Sequence, residues 1–402
     1  MKPLHIFDHF KILKSRTYLL YFIGQLISMS GSFMQAVVQS WLVYKISDSS
    51  LWLGIIAFLT QFPSFLSSPF AGVLADQRDK RNILIGVQIV GMIQAGLLAI
   101  LTLQGSIQIW QIASLAAILG ITNAFDMTTR HSFAIEMVGK RDLPSAIALN
   151  SLIINSSKIV GPALAGLLIG LIGEGWCFAL NSISYIAVIL SLLQFKKSTR
   201  AFSRRLVIFS SLKEGILYVK RMPALHFPLA FATFLGFVGA PYIVLLPVYA
   251  KDILKGGAEN LGWLTAFHSV GALVGAFLSV DPIPKVDVRK TLTNRLLAFS
   301  VCMIVFGLST NLVLSSIAIM GCGYFIIGCY PLINNSLQFL VADEMRSRVL
   351  SIYTMTFLGT LPLGGLLAGS LAQNWGATVV LSLFSALCLV VGLRLSFQIR
   401  SL

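Results

Sequence analysis

Lys158 lies inside a long apolar segment, where a cation is costly unless it has a function or a partner. Ser151, Asn155, Lys158 and Pro162 follow one another at helical spacing, so they share one face of a helix. Such a face is expected to line a cavity, where the ammonium group attracts an anionic substrate or pairs with its carboxylate. The alternative is that Lys158 binds neighbouring carbonyl groups and stabilises packing.

A second polar stripe runs along the first apolar segment. Its members are three or four residues apart: Gln25, Ser28, Ser32, Gln35 and Gln39. Because this spacing keeps them on one helix face, and because that face is costly in lipid, we expect it to line the same cavity. Hydrogen bonding between helices is the alternative. Further candidates for substrate binding are the polar residues of two later segments, Asn334, Asn335, Gln338, Tyr353 and Thr356.

Five charged residues occupy six positions between two apolar segments, namely Asp76, Arg78, Asp79, Lys80 and Arg81. Lys80 and Arg81 are predicted to pair with Asp126, which the segment boundaries place at the end of a later segment. We expect Arg78 only to set the orientation of the chain in the membrane.

Few groups can titrate within the apolar segments. Asp126 and His268 are the candidates for proton coupling, although a lone histidine in an apolar helix is more often a packing group. The five cysteines and five histidines show no metal-ligand or catalytic spacing, and no phosphate-binding G-x-x-x-x-G-K-[ST] loop is present. We therefore expect a chain that is not an enzyme, with no catalytic residues, no metal and no cofactor.

The composition indicates a membrane protein. Of the 402 residues, 56% are hydrophobic and 11% are charged, whereas a soluble domain has about 25% charged residues. About 20 apolar residues cross a bilayer, and scanning by that length predicts twelve spans. Their bounds are 18–45, 51–75, 83–104, 109–130, 146–172, 175–195, 224–249, 260–280, 291–310, 312–340, 349–373 and 376–397.

The basic residues predict the orientation of these spans. Of the 30 Lys and Arg residues, 26 lie in the termini and the even-numbered gaps, and three lie in the odd-numbered gaps. Basic residues concentrate on the cytoplasmic side, so both termini are expected there. The net charge of +15 thus reflects topology and contact with anionic headgroups, and it does not indicate nucleic-acid binding.

The chain divides into two halves. We predict a first six-helix bundle at 1–195, a cytoplasmic linker at 196–223 and a second six-helix bundle at 224–402. The linker contains an amphipathic stretch near Ser210 to Val219, expected to lie along the membrane face. The halves resemble each other weakly, since Pro162 and Pro362 occupy matching spans, as in transporters with a midplane site.

These features resemble the major facilitator superfamily. The loop between the second and third spans matches G-x-L-A-D-x-R-x-K-R, with Asp79 where the family usually has glycine; the matching residues are Gly72, Leu74, Ala75, Asp76, Lys80 and Arg81. A second match, Gly161-Pro162-x-x-Ala165-Gly166, is similar to the motif of the family's antiporters. Together with the stretches Asn123–Phe133 and RSRVLSIY, it makes the chain similar to the bacterial drug-efflux and enterobactin-exporter branch.

The resemblance implies roles for these residues. Asp76 is expected to face the N-terminus of the eleventh span, in a contact that exists only while the cytoplasmic side is closed. With it, Gly72, Lys80, Arg81, Asp126 and Arg130 are interpreted as a conformational latch. Gly161, Pro162 and Gly166 are interpreted as a helix kink, either as plain packing or in coupling.

The sequence therefore predicts a secondary transporter of the bacterial inner membrane. It is expected to export an amphipathic, anionic small molecule, a siderophore or a drug, by alternating access in exchange for protons. The expected partners are the substrate and the lipid bilayer, the proton gradient is the energy source, and the chain is expected to be a monomer. A lysophospholipid flippase, an importer of the same fold and a receptor without transport are the alternatives.

Overall fold

A computed structural model of the chain describes residues 6–195, 208–279 and 287–400. In the first half, a 3-10 helix at Ile6–Lys14 precedes α1 (Arg16–Ser47), α2 (Ser50–Gln77), α3 (Lys80–Leu103) and α4 (Ile109–Leu193). The remaining α-helices are α5 (Ile208–Arg221), α6 (His226–Phe234), α7 (Leu246–Val248), α8 (Ala258–Phe277), α9 (Val288–Leu308), α10 (Leu312–Ile327), α11 (Cys329–Leu340), α12 (Asp343–Trp375) and α13 (Ala377–Arg400).

Two glycines divide the 85-residue helix α4. Gly139 and Gly173 have φ of 76° and 81°, a backbone conformation that glycine adopts without steric cost. The breaks separate the fourth, fifth and sixth predicted spans. The predicted loop between the fourth and fifth spans is therefore almost entirely helical, because a single glycine suffices to turn the chain.

Ten stretches of the described residues are long and apolar enough to cross a membrane. One of them, Arg141–Leu193, has 53 residues and is divided at Gly173, so it contains two predicted spans. The 20-residue helix α8, which is not among the ten, coincides with the predicted eighth span. The break predicted at Asn311 is confirmed, because its side chain caps α10 by accepting from the backbone N–H of Val313 at 2.9 Å.

The seventh span is less regular than the sequence predicted. Instead of one helix, residues 226–253 form α6, a π-helix at Leu235–Gly239, a 3-10 helix at Pro241–Leu245, α7 and a second π-helix at Tyr249–Ile253. Pro241 and Pro247 lack the backbone N–H of a regular helix, so the hydrogen bonding shifts around them. The backbone N–H of Ala240 accordingly donates to Leu235, five residues back.

Contacts group the chain into two compact units. The first unit comprises Met1–Ile46 and Leu59–Leu206, and the second comprises Ser47–Phe58 and Val207–Leu402. The first turns of α2 thus belong with the second unit, where the Ser50 hydroxyl donates to the Gly369 carbonyl of α12 at 3.0 Å. The bounds predicted for the domains and the linker remain predictions.

The two halves repeat the same packing devices. Asp79 caps α3 and Asp287 caps α9, each accepting from backbone N–H groups of the first turn. Gly120 of α4 lies so close to the Thr60 carbonyl that an added Cβ would be 2.6 Å from it, and Gly323 of α10 lies similarly against the carbonyl of His268. These equivalent contacts are what an internal repeat predicts.

An aromatic cluster closes one end of the first unit. Tyr18 and Tyr21 of α1 pack with Leu84 of α3 and with Phe133 and Leu192 of α4, all of them buried. On the outside, by contrast, large apolar side chains are exposed, among them Phe70, Leu171 and Phe277 at 72%, 70% and 77%. A bilayer provides the solvent that such a surface requires.

Candidate functional site

Lys158 lies on the part of α4 that follows Gly139 and is exposed. No ion pair or hydrogen bond joins its ammonium group to any residue that the structure describes. Its neighbour Ser157, in contrast, is buried, accepts from Ser30 at 3.2 Å and donates to the Leu26 carbonyl at 3.4 Å. One side of this helix is therefore tied to α1, while the cation beside it is accessible.

The two polar residues that precede Lys158 on the same face bond within their own helix. The Ser151 hydroxyl donates to the Ile147 carbonyl at 3.0 Å, and the Asn155 amide donates to the Ser151 carbonyl at 2.9 Å. Ser151 is exposed and Asn155 is half-buried, whereas Pro162, one turn beyond Lys158, is buried. The face that the sequence assigned to a cavity is thus accessible along Ser151–Lys158 only.

Gly161 and Pro162 lie where α4 crosses α1. A Cβ on Gly161 would lie 2.6 Å from the Cβ of Phe33 and 2.8 Å from the Ser30 carbonyl, so the helices touch backbone to backbone. Pro162 lies inside the continuous helix and Gly166 is buried. This is the close approach that small residues permit between membrane helices.

Most residues of the polar stripe on α1 are buried between helices or hydrogen-bonded to a neighbouring helix. Gln35 donates to Gln94 of α3 at 2.9 Å and accepts from Asn181 of α4 at 2.7 Å, and all three residues are buried. The prediction that Gln35 lines a cavity is therefore wrong, because both ends of its amide are engaged by neighbouring helices. Gln25, Ser28 and Gln39 are buried as well. Ser32 is half-buried within 3.2 Å of the Tyr185 hydroxyl.

The charged loop pairs with residues other than the predicted one. Lys80 forms an ion pair with Glu136 at 2.5 Å, and Arg81 donates to the carbonyls of Leu192 and Leu193 at 2.9 and 3.0 Å. The predicted pairing of these two cations with Asp126 is therefore wrong. The helix extends to Gly139, so Asp126 lies about 20 Å before its end, whereas Glu136 lies at its end.

Gly72 and Asp76, the other two predicted latch residues of this loop, have few described contacts that could test the latch. An added Cβ on Gly72 would meet only Thr128, at 3.9 Å, and the side chain of Asp76 lies outside the described part of the chain. The contact predicted between Asp76 and the eleventh span stays a prediction.

The half-buried Asp126 and the buried Arg130 form an ion pair one turn apart on α4, with side-chain exposures of 18% and 10%. Gln88 of α3 donates to the second carboxylate oxygen of Asp126 at 2.8 Å. The Arg130 guanidinium also contacts the Met29 sulfur of α1 at 3.1 Å. In a low-dielectric interior, a pair with these additional bonds is held in place, and removal of either charge leaves the other one uncompensated.

The candidates of the second half make three separate kinds of contact. Gln338 donates to Asn334 at 2.5 Å on α11, and Asn335 beside them is half-buried. Tyr353 is buried and donates to the Tyr330 carbonyl at 3.3 Å, so its hydroxyl serves packing between α12 and α11. His268 is buried against the ring of Tyr242, with 5.8 Å between the centroids. It has the surroundings of a packing histidine.

The sequence matches the family described as transmembrane secretion effectors over residues 9–401. The chain belongs to this family, and the predicted membership of the major facilitator superfamily is confirmed. It is therefore a multi-pass membrane transporter and not an enzyme, and the described part of the chain is helical with about 10–12 apolar helices.

Curated relatives and solved structures agree with the family. The staphyloferrin A transporter of Staphylococcus aureus is 27% identical, over 92% of this chain and 94% of its own length. The multidrug efflux pump Tap of Mycolicibacterium fortuitum is 25% identical, over 95% of both chains. The crystal structure of a bacterial homologue of the human lysosomal transporter Spinster has a TM-score of 0.73 at 14% identity, over 96% of this chain and 97% of that one. This last likeness concerns the fold alone.

Sequence reasoning on this transporter missed four residues of the polar contacts: Gln88, Gln94, Glu136 and Asn181. Two of them, Gln88 and Gln94, are glutamines in an otherwise apolar segment. That signal was available, because a buried amide in a membrane span requires a partner on another helix. Lys80 pairs with Glu136 and not with Asp126 because the first part of α4 continues to Gly139, a boundary that a charge count does not provide.

Proposed function

We propose that the chain exports an amphipathic, anionic small molecule across the bacterial inner membrane by alternating access, in exchange for protons. The observation that supports this most is Lys158, an exposed cation on a membrane-spanning helix without an acidic partner among the described residues. A cation in that position is costly, and an anionic substrate would compensate its charge. The oxygen atoms of Ser151 and Asn155 lie on the same face for further hydrogen bonds.

The direction of transport rests on two supports. The stretch from Gly161 to Gly166 is similar to the motif of antiporters. Its first residue, Gly161, lets the backbones of α4 and α1 touch. Among the relatives, the Tap protein is named a multidrug efflux pump. Export is therefore proposed over import.

Proton exchange is proposed to use the buried cluster of Asp126, Arg130 and Gln88. Its carboxylate is an ionisable acid within the first unit's polar network, with a cation and an amide directly bonded to it. The hydrogen bond from Gln88 connects α3 to this carboxylate on α4, so a small displacement between the two helices would change the surroundings of the carboxylate.

Uptake into inverted membrane vesicles tests the proposal. An anionic siderophore, staphyloferrin A, and the cationic dye ethidium serve as probes, with and without a proton gradient. The vesicles contain wild type, Lys158→Ala, Lys158→Arg or, as a matched control, Lys14→Ala, which removes an exposed cation outside the spans. We expect gradient-dependent accumulation of the anion that is lost in Lys158→Ala and retained in the other two variants.

Other results would change specific parts of the proposal. Accumulation of ethidium that is the same in all variants would retain proton-driven export but remove the anionic substrate and the role of Lys158. The absence of gradient-dependent accumulation of any probe would overturn export and favour an importer or a lipid carrier.

A further inference from the structure

The amphipathic helix α5 is attached to the first turns of the membrane-spanning helix α12. Glu214 forms an ion pair with Arg348 at 3.0 Å. A Cβ on Gly215 would lie 3.0 Å from the Cδ1 of Ile352, so the two helices touch closely at this glycine. The Tyr218 hydroxyl accepts from the backbone N–H of Ala342 at 3.5 Å, just before α12 begins. One side of α5 is thus occupied by α12.

The remaining surface of α5 is exposed and has a particular chemistry. Ile216 and Leu217 are 43% and 44% exposed, and Lys213, Lys220 and Arg221 are exposed as well. Lys213, Leu217 and Lys220 lie at successive helical steps, so basic groups stand on both sides of apolar ones. This is the composition of helices that lie in a membrane interface.

The charge balance of the segment is strongly positive. From Lys196 to Arg221 the sequence has eight basic residues, and Glu214 is its one acid. Arg348 neutralises that acid. A basic amphipathic helix such as α5, with Lys213, Lys220 and Arg221 exposed, is typical of binding to anionic lipids.

We propose that the exposed face of α5 binds the headgroups of anionic phospholipids in the surrounding bilayer. Its three described cations contact the phosphates, and Ile216 and Leu217 enter the boundary with the acyl chains. The occupant follows from two features of the helix. Its charge is complementary to anionic headgroups, and its attachment to the start of α12 places it where a membrane-spanning helix leaves the bilayer. A soluble anion would leave the two apolar side chains in water.

Through the Glu214–Arg348 ion pair, lipid bound to α5 would also affect α12. Lipid bound to α5 fixes a helix whose inner side is bonded to the first turns of α12, so the position of α12 depends on the lipid composition. This consequence is independent of the substrate proposed above and of the direction of transport.

Hydrogen exchange of the full-length chain in lipid nanodiscs tests the proposal. The discs contain either phosphatidylcholine alone or phosphatidylcholine with a third of phosphatidylglycerol. We expect the amides of Ile208–Arg221 to exchange about tenfold more slowly with phosphatidylglycerol, a factor that corresponds to 1.4 kcal/mol, because bound headgroups oppose the opening of the helix. The triple variant Lys213→Gln, Lys220→Gln, Arg221→Gln should lose this difference.

A control variant removes the same charge elsewhere. Lys14→Gln, Arg16→Gln, Arg78→Gln replaces three exposed cations outside α5 and should retain the slow exchange. A further variant, Ile216→Ser with Leu217→Ser, should increase exchange of α5 in both lipid mixtures, because the apolar contact does not depend on headgroup charge.

Three results would overturn the proposal. The first is equal exchange of α5 in the two lipid mixtures. The second is an equal loss of protection in the control and the α5 triple variant. The third is the same protection by inorganic phosphate in phosphatidylcholine discs, which would assign the surface to soluble anions.

Discussion

Lys80 and Glu136 hold the start of α3 against the end of the first part of α4 through an ion pair of 2.5 Å, with side-chain exposures of 11% and 26%. Lys80 is the first residue of α3, and Glu136 comes three residues before the break at Gly139. The pair therefore connects two helix ends of the first unit. Arg81, next to Lys80, adds bonds to the last carbonyls of α4 before Gln194.

This pair should contribute measurably to stability. We expect a double-mutant cycle of Lys80→Met and Glu136→Gln to give a coupling energy of about 1 kcal/mol, at the upper end for ion pairs that keep some contact with water. Thermal unfolding of the purified protein in detergent measures it. The charge-reversed double variant, Lys80→Glu with Glu136→Lys, should recover most of the loss, and Arg78→Gln should have no effect. A coupling energy near zero would show that the Lys80–Glu136 pair does not stabilise the protein and is not part of the latch.

Gln35 should behave as a structural residue. Gln35→Leu removes two hydrogen bonds between helices and takes away the partner of the Gln94 Oε1 and of the Asn181 Nδ2. Each such bond contributes about 0.6 kcal/mol in membrane proteins, and buried amides left unpaired add to the cost. We therefore expect a loss of about 1–3 kcal/mol in the free energy of unfolding. The matched variant Ser32→Ala should cost less. A change in substrate affinity with unchanged stability would restore the cavity-lining interpretation.

The sequence predicted the spans well because a bilayer imposes a simple length requirement on apolar segments. The breaks at Asn311 and Gly173 coincide with a helix cap and a positive φ, both of which are local properties of the chain. The seventh span was less predictable, although Pro241 and Pro247 are visible in the sequence. Hydropathy measures how apolar a segment is and not whether its backbone hydrogen bonds are regular.

The candidate site was harder to predict than the fold. Spacing placed Ser151, Asn155 and Lys158 on one face, but the same argument placed Gln35 in a cavity where the structure has interhelical bonds. Periodicity identifies a polar face without identifying what covers it. The bonds of Arg81 to backbone carbonyls are likewise invisible to an argument that matches positive with negative side chains.

Asp126→Asn should separate transport from its coupling to protons. The asparagine can still accept the hydrogen bond from Gln88, but it cannot release a proton. We expect gradient-dependent accumulation in inverted vesicles to be lost, while exchange of labelled for unlabelled substrate continues. The control Asp142→Asn neutralises an exposed carboxylate outside the cluster, so it should retain gradient dependence. Gradient-driven accumulation by Asp126→Asn at the wild-type rate would assign coupling to another group.

Gly161 and Gly170 provide a matched test of the contact between α1 and α4. A Cβ on Gly161 would meet the Phe33 side chain at 2.6 Å and the Ser30 carbonyl at 2.8 Å, whereas nothing lies within 4 Å of a Cβ on Gly170. Gly161→Ala should therefore lower the free energy of unfolding by about 1–3 kcal/mol through overpacking. Gly170→Ala should be neutral or stabilising by up to about 1 kcal/mol, because alanine is the better helix former. Thermal unfolding compares the two variants directly, and equal midpoints would contradict close packing at Gly161. A loss of transport in Gly161→Ala at unchanged stability would instead indicate that the two helices must move against each other at this glycine.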